Sequence, residues 1–163
     1  MRNESPAALR HPLLKGEVNP PACGHPLVKG DEGTEQKKGE QVMELSKLSL
    51  ERLEGVDERL KAIVIECAAR CSYPFNVSEG LRTEEQQREY VRQGKSRTMK
   101  SKHLTGKAVD LYPLSMDRKV VDWSRFEELA DLMFQVASDQ GVEIVWGGHW
   151  KTFVDKCHFQ LKD

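Results

Sequence analysis

Two short segments gather residues able to hold a metal ion. In "HLTGKAVD", His103 stands seven residues before Asp110, and in "DKCH", Asp155 stands three before His158. Two imidazoles and two carboxylates are the inventory of a hydrolytic zinc site. Such a site needs three N/O ligands, an open fourth position, and a separate carboxylate to take a proton from water. Gly106 and the small Ala108 would let the first segment fold back so that His103 and Asp110 reach one ion. Neighbouring side chains of a strand point to opposite faces, so if His158 faces the ion then Cys157 faces away. That geometry disfavours a Cys157–His158 protease dyad. Spacing alone leaves a second reading open. Each His–Asp pair is equally a structural hydrogen bond, Asp155 a turn cap, and Arg82 a surface residue ahead of a helix cap.

The elements that must position these residues are legible from Met43 onward. A short helix around Leu45–Glu54 can stop at Gly55. Asp57 can cap a longer helix whose stripe is Leu60, Ile63, Val64, Cys67 and Cys71. Cys67 and Cys71 read there as small buried hydrophobes, or as half of a zinc site for which no second pair has finger spacing. "PFNVSEG" alternates Phe75, Val77 and Glu79 against Asn76 and Ser78, as a short strand does. Thr83 and Gln86 form a capping box opening a helix to about Gln93, with Gly94 beyond it. "KSRTMKSKH" is a polar loop, and "KAVDLYP" a strand stopped by Pro113. Ser124 to Glu127 reads as a second capping box, opening a helix with Phe126, Leu129, Met133 and Ala137 that ends at Gly141. "VEIVW" and "CHFQL" are β-prone runs joined by the turn-rich "GGHWKTFVDK". The expectation is an α+β fold, a small, mainly antiparallel sheet flanked by helices.

Composition divides the 163 residues unevenly. No Phe, Trp or Tyr precedes Tyr73, while residues 1–42 hold five of the seven Pro and five of the twelve Gly. Residues 1–42 therefore read as a disordered extension, or as the product of a start placed upstream of Met43, and residues 43–163 as the domain. A net charge of -1 argues against nucleic acid as a partner. No run approaches the roughly 20 apolar residues of a membrane span, and no secretory signal opens the chain. Membrane insertion is not expected, and the cytoplasm is the default compartment.

The motifs carry a resemblance. "SKHLTGKAVD" is similar to the S-x-H-x-x-G-x-A-x-D signature of the VanY/VanX-like zinc peptidases (peptidase family M15), and "DKCHFQL" to their D/E-x-x-H signature. "VSEGLRTEEQQ" and "IVWGGHW" resemble the short bacteriophage endolysins of that family, the L-alanyl-D-glutamate peptidases. The likeness runs from about Met43 to Leu161. It implies a single hedgehog/DD-peptidase-like domain with one Zn²⁺ per chain held by His103, Asp110 and His158. Asp155 would be the general base and then the proton donor to the leaving amine. Arg82 would stabilise the developing oxyanion or hold a substrate carboxylate. Ser101 would support the His103 loop, and Trp146 and Trp150 could line the cleft. His149 and Cys157 depart from the family pattern. The implied activity is hydrolysis of the L-Ala–D-Glu bond of the peptidoglycan stem peptide by a monomer, made in the cytoplasm and released to the wall. A D-Ala–D-Ala carboxypeptidase or dipeptidase, or an inactive zinc-binding module, are the alternatives.

Overall fold

The computed structural model describes residues 43–162. Residues 1–42, read above as an extension, lie outside the described residues. The elements run α1 (Lys47–Arg52), α2 (Glu58–Arg70), β1 (Phe75–Glu79), α3 (Glu84–Arg92), β2 (Ala108–Pro113), α4 (Phe126–Asp139), β3 (Ile144–Trp146) and β4 (His158–Leu161). Single 3-10 turns occupy Lys102–Thr105, Trp123–Arg125 and Gly147–His149.

The local signals explain most boundaries. The Asp57 carboxylate accepts from the Arg59 N–H and starts α2, which buries Leu60, Ile63, Val64 and Cys67. Thr83 and Gln86 form the full reciprocal capping box of α3. The second expected box is not formed. Asp122 instead accepts from both the backbone N–H and the hydroxyl of Ser124, so the chain winds a 3-10 turn first. α4 then begins at Phe126 with no side-chain cap. Cys67 and Cys71 are free and buried in the core cluster, and burial pushes both thiols up.

The four strands form one antiparallel sheet in the order β1-β2-β4-β3. Val77 pairs with Leu111, Val109 with Phe159, and Phe159 with Trp146. Residues directly opposite one another share a face, so these five mark the face that joins α2 and α4 in the core. At the outer edge of β1, the Ser49 hydroxyl accepts from Val77 N–H and Arg52 donates to Val77 C=O. α1 thus closes an edge that would otherwise present unpaired backbone groups.

Strict alternation would put Glu79 on the face of Phe75 and Val77. The structure corrects this. A register shift between Val77 and Glu79 makes Glu79, rather than Ser78, the partner of Asp110. The extra residue of a β-bulge turns every later side chain to the other face. Asp110 in turn pairs with His158. Glu79, Asp110 and His158 therefore form a row across three strands, on the face opposite the core.

Candidate active site

His103 reaches this row from the 3-10 turn before β2. Ser101 caps that turn, its hydroxyl accepting from His103 N–H. Gly106 ends it with φ of 67°, a left-handed conformation that glycine adopts without strain. A Cβ at Gly106 would lie 2.3 Å from the Gly55 carbonyl oxygen, so the turn packs too closely for any other residue. Arg82 N–H donates to the His103 carbonyl and ties the turn to the segment after β1.

Three ligand atoms converge. His103 Nε2 lies 3.2 Å from Asp110 Oδ1 and 3.2 Å from His158 Nδ1, and His158 Nδ1 lies 3.1 Å from Asp110 Oδ1. Zinc holds four ligands tetrahedrally at about 2.0–2.1 Å, which places neighbouring ligand atoms roughly 3.3 Å apart. The observed triangle has nearly the size of one face of that tetrahedron. His103, Asp110 and His158 are all buried and are the one such group among the described residues.

The far side of each ring is also committed. His103 Nδ1 is 2.7 Å from the Gly80 carbonyl, to which only an N–H can donate, and Nε2 is turned inward. His158 Nε2 is 3.0 Å from Gln160 Oε1, leaving Nδ1 inward. The two imidazoles thus present opposite nitrogens, each oriented by a partner behind it, as metal-binding histidines are. Burial opposes a charge on His158. The hydrogen bond and negative charge of Asp110, helped by Gln160 and Asp155, outweigh it and hold the imidazole above its ordinary value. The site attracts positive charge, and its donor set fits a divalent cation.

Asp155 lines the same cleft, a space of about 370 Å³. Its backbone N–H donates to Gly147 C=O, and its carbonyl accepts from His158 N–H. The Cys157 thiol donates to Asp155 Oδ1 over 2.9 Å. Cys157 belongs to the core cluster, turned from the ligand triangle as strand geometry requires. Arg82 is buried beside the triangle, its Nη2 3.9 Å from Asp110 Oδ2. Glu79 grips Arg82 through Nε and Nη2 at 2.7 and 2.6 Å, and Gln87 accepts from Nη1 at 2.6 Å. These bonds use three of the five N–H groups of a guanidinium, and Arg82 also lines the cleft.

Trp146 does not line the cleft. Its pairing with Phe159 puts it on the core face, where its indole N–H donates to the Lys156 carbonyl. Trp150 is the tryptophan on the cleft, its ring 5.1 Å from that of His158. His149 is exposed, stacked on Phe134 and away from the triangle. The sequence reading missed Glu79, Gln87, Gly80 and Gln160. A Gln two residues after a ligand histidine, on the same strand face, is a signal that could have found the last.

Residues 41–159 match the family model described as phage L-alanyl-D-glutamate peptidase. A curated relative, the L-alanyl-D-glutamate peptidase of Listeria phage A118, is 39% identical over 85 residues, which is 52% of this chain. That match spans 29% of the relative's length. Among solved structures, the L-Ala D-Glu endopeptidase ChiX of Serratia marcescens superposes with a TM-score of 0.68 at 37% identity, covering 74% of this chain and 91% of that one. With most of its length matched by the family model and a solved relative nearly fully covered, the chain belongs to the phage L-alanyl-D-glutamate peptidase family.

Proposed function

We propose that the protein is a zinc-dependent peptidoglycan endopeptidase of the endolysin type that hydrolyses the L-Ala–D-Glu bond of the stem peptide. The observation that carries the metal is the triangle of His103 Nε2, Asp110 Oδ1 and His158 Nδ1, with sides of 3.1 to 3.2 Å. The bond assignment is supported by the family description and by the names of the two relatives. When bound, Zn²⁺ would supply Lewis acidity, polarising the scissile carbonyl and lowering the pKa of water at the open position.

The chain's own residues divide the remaining work. Asp155 takes a proton from the attacking water and returns it to the amine of D-Glu as the C–N bond breaks. Water is thereby added across the amide, leaving an L-Ala carboxylate and a free amino group. Cys157 and the Gly147 carbonyl hold Asp155 in place. Arg82, fixed by Glu79 and Gln87, directs its remaining N–H groups at the negative charge that develops on the carbonyl oxygen. No described helix is long and apolar enough to cross a membrane. Release of a cytoplasmic monomer to the wall remains the proposed route to substrate.

The test is a digest of purified peptidoglycan, with and without excess chelator, read by mass spectrometry. New L-Ala carboxyl ends and D-Glu amino ends are expected, and only without chelator. Free D-Ala as the product would replace the endopeptidase by a carboxypeptidase. Undiminished digestion in chelator would refute the metal mechanism.

A further inference from the structure

The loop between α3 and the His103 turn reads GKSRTMKSK and contains no acidic residue. Lys95, Arg97, Lys100 and Lys102 all line the cleft beside the metal triangle. The chain as a whole has a net charge of -1, so this cationic wall is a local arrangement, not a reflection of overall basicity. Among the described residues, the carboxylates lining the cleft are Asp110 and Asp155, both already engaged at the reaction centre.

The wall is held in place from within. The Gln87 side chain is fully buried, and its amide NH₂ donates to Ser96 Oγ at 2.8 Å and to the Thr98 carbonyl. The same side chain accepts from Arg82 Nη1. One glutamine thus fixes the basic loop relative to the guanidinium beside Asp110. Arg97 lies over the Phe153 ring, 4.5 Å from its centroid, and so bridges to the opposite wall. Stacking occupies the face of a guanidinium and leaves its N–H edge available to an anion.

We propose that this loop, through Arg97 and Lys100, binds the free carboxylate of the D-Glu residue next to the scissile bond, and so selects stem peptides in which that carboxylate is not amidated. The proposal rests on the endopeptidase reading given above. A glutamyl residue has two carboxyl groups, and only one continues the peptide. The other stays anionic a few bonds from the scissile nitrogen, unless the wall carries it as an amide. An anion there would meet a fixed cationic wall, and an amide would lose the charge-assisted hydrogen bonds.

The test compares two N-acylated L-Ala–D-Glu peptides, differing only in whether the spare D-Glu carboxyl is free or amidated, with the zinc-loaded full chain. KM for the amidated peptide should be about tenfold higher, the size of one lost charge-assisted hydrogen bond. In the double variant Arg97→Gln, Lys100→Gln, the two KM values should converge. The charge-preserving pair Arg97→Lys, Lys100→Arg should keep them apart. Both positions are exposed, so these changes leave the core intact. Equal KM values for the wild type, or a difference that persists in the Gln pair, would overturn the proposal while leaving the endopeptidase reading standing. Failure to cleave either peptide at the Ala–Glu bond would instead overturn both.

Discussion

At the scale of single residues, the two histidines of the triangle are distinguished by what stands behind them. His103 is backed by a main-chain carbonyl, which substitution at Gly80 cannot remove, whereas His158 is backed by the side chain of Gln160. Only the second can be deleted cleanly. Gln160→Leu should lower zinc affinity about 10–100-fold, as loss of an outer partner of a metal-binding histidine does. Competition against a chromophoric chelator measures this directly. Asp155 makes a contrasting prediction because it is not a member of the triangle. Asp155→Asn should keep close to one zinc per chain yet reduce kcat by about 10²–10⁴, the usual contribution of a positioned acid–base group. Metal analysis beside steady-state rates separates the two effects, and an unchanged rate would remove Asp155 from its assigned role.

At the scale of elements, the site depends on departures from regular structure. The bulge in β1 turns Glu79 onto the face of Asp110 and His158, where it can grip Arg82. Without it Ser78 would oppose Asp110, and Arg82 would lose both Glu79 bonds. The 3-10 turn after β3 performs a similar task for Asp155. Gly147 has no room for a side chain, since a Cβ there would lie 2.4 Å from the Asp155 carbonyl and 3.2 Å from His158 Cβ. Gly147→Ala must therefore displace Asp155 relative to His158. Misplacement of a catalytic group by about 1 Å costs on the order of 10²-fold. The variant should lose that much kcat, with circular dichroism confirming that it still folds. Helix starts were readable where a cap competes with nothing, at Asp57 and Thr83. The misreading at Ser124 has a local cause, because Asp122 captures its hydroxyl and backbone N–H before either can serve α4.

At the scale of the whole molecule, the triangle draws together three segments of the chain. His103 belongs to a turn before β2, Asp110 to β2 and His158 to β4. A metal ion held there would bind the folded state and find no preformed site in the unfolded chain, so binding would add to stability. Removal of zinc by a chelator should lower the thermal midpoint by on the order of 10 °C, the effect of a ligand present at about a thousand times its Kd. Differential scanning calorimetry with and without chelator checks this, and unchanged midpoints would mean that the triangle holds no ion of consequence. The two His–Asp segments and the α+β alternation of elements were legible in the sequence, because residue type, strand period and most caps are local properties. The gathering of those segments into one site was implied there only by the family resemblance. What tertiary structure decided was orientation. The strand register sent Trp146 to the core with Phe159 and left Trp150 on the cleft. The bulge recruited Glu79, and the packing of α3 buried Gln87 between Arg82 and the basic loop. Each of these depends on which face a side chain occupies, and a one-residue change of register reverses that without altering the local pattern.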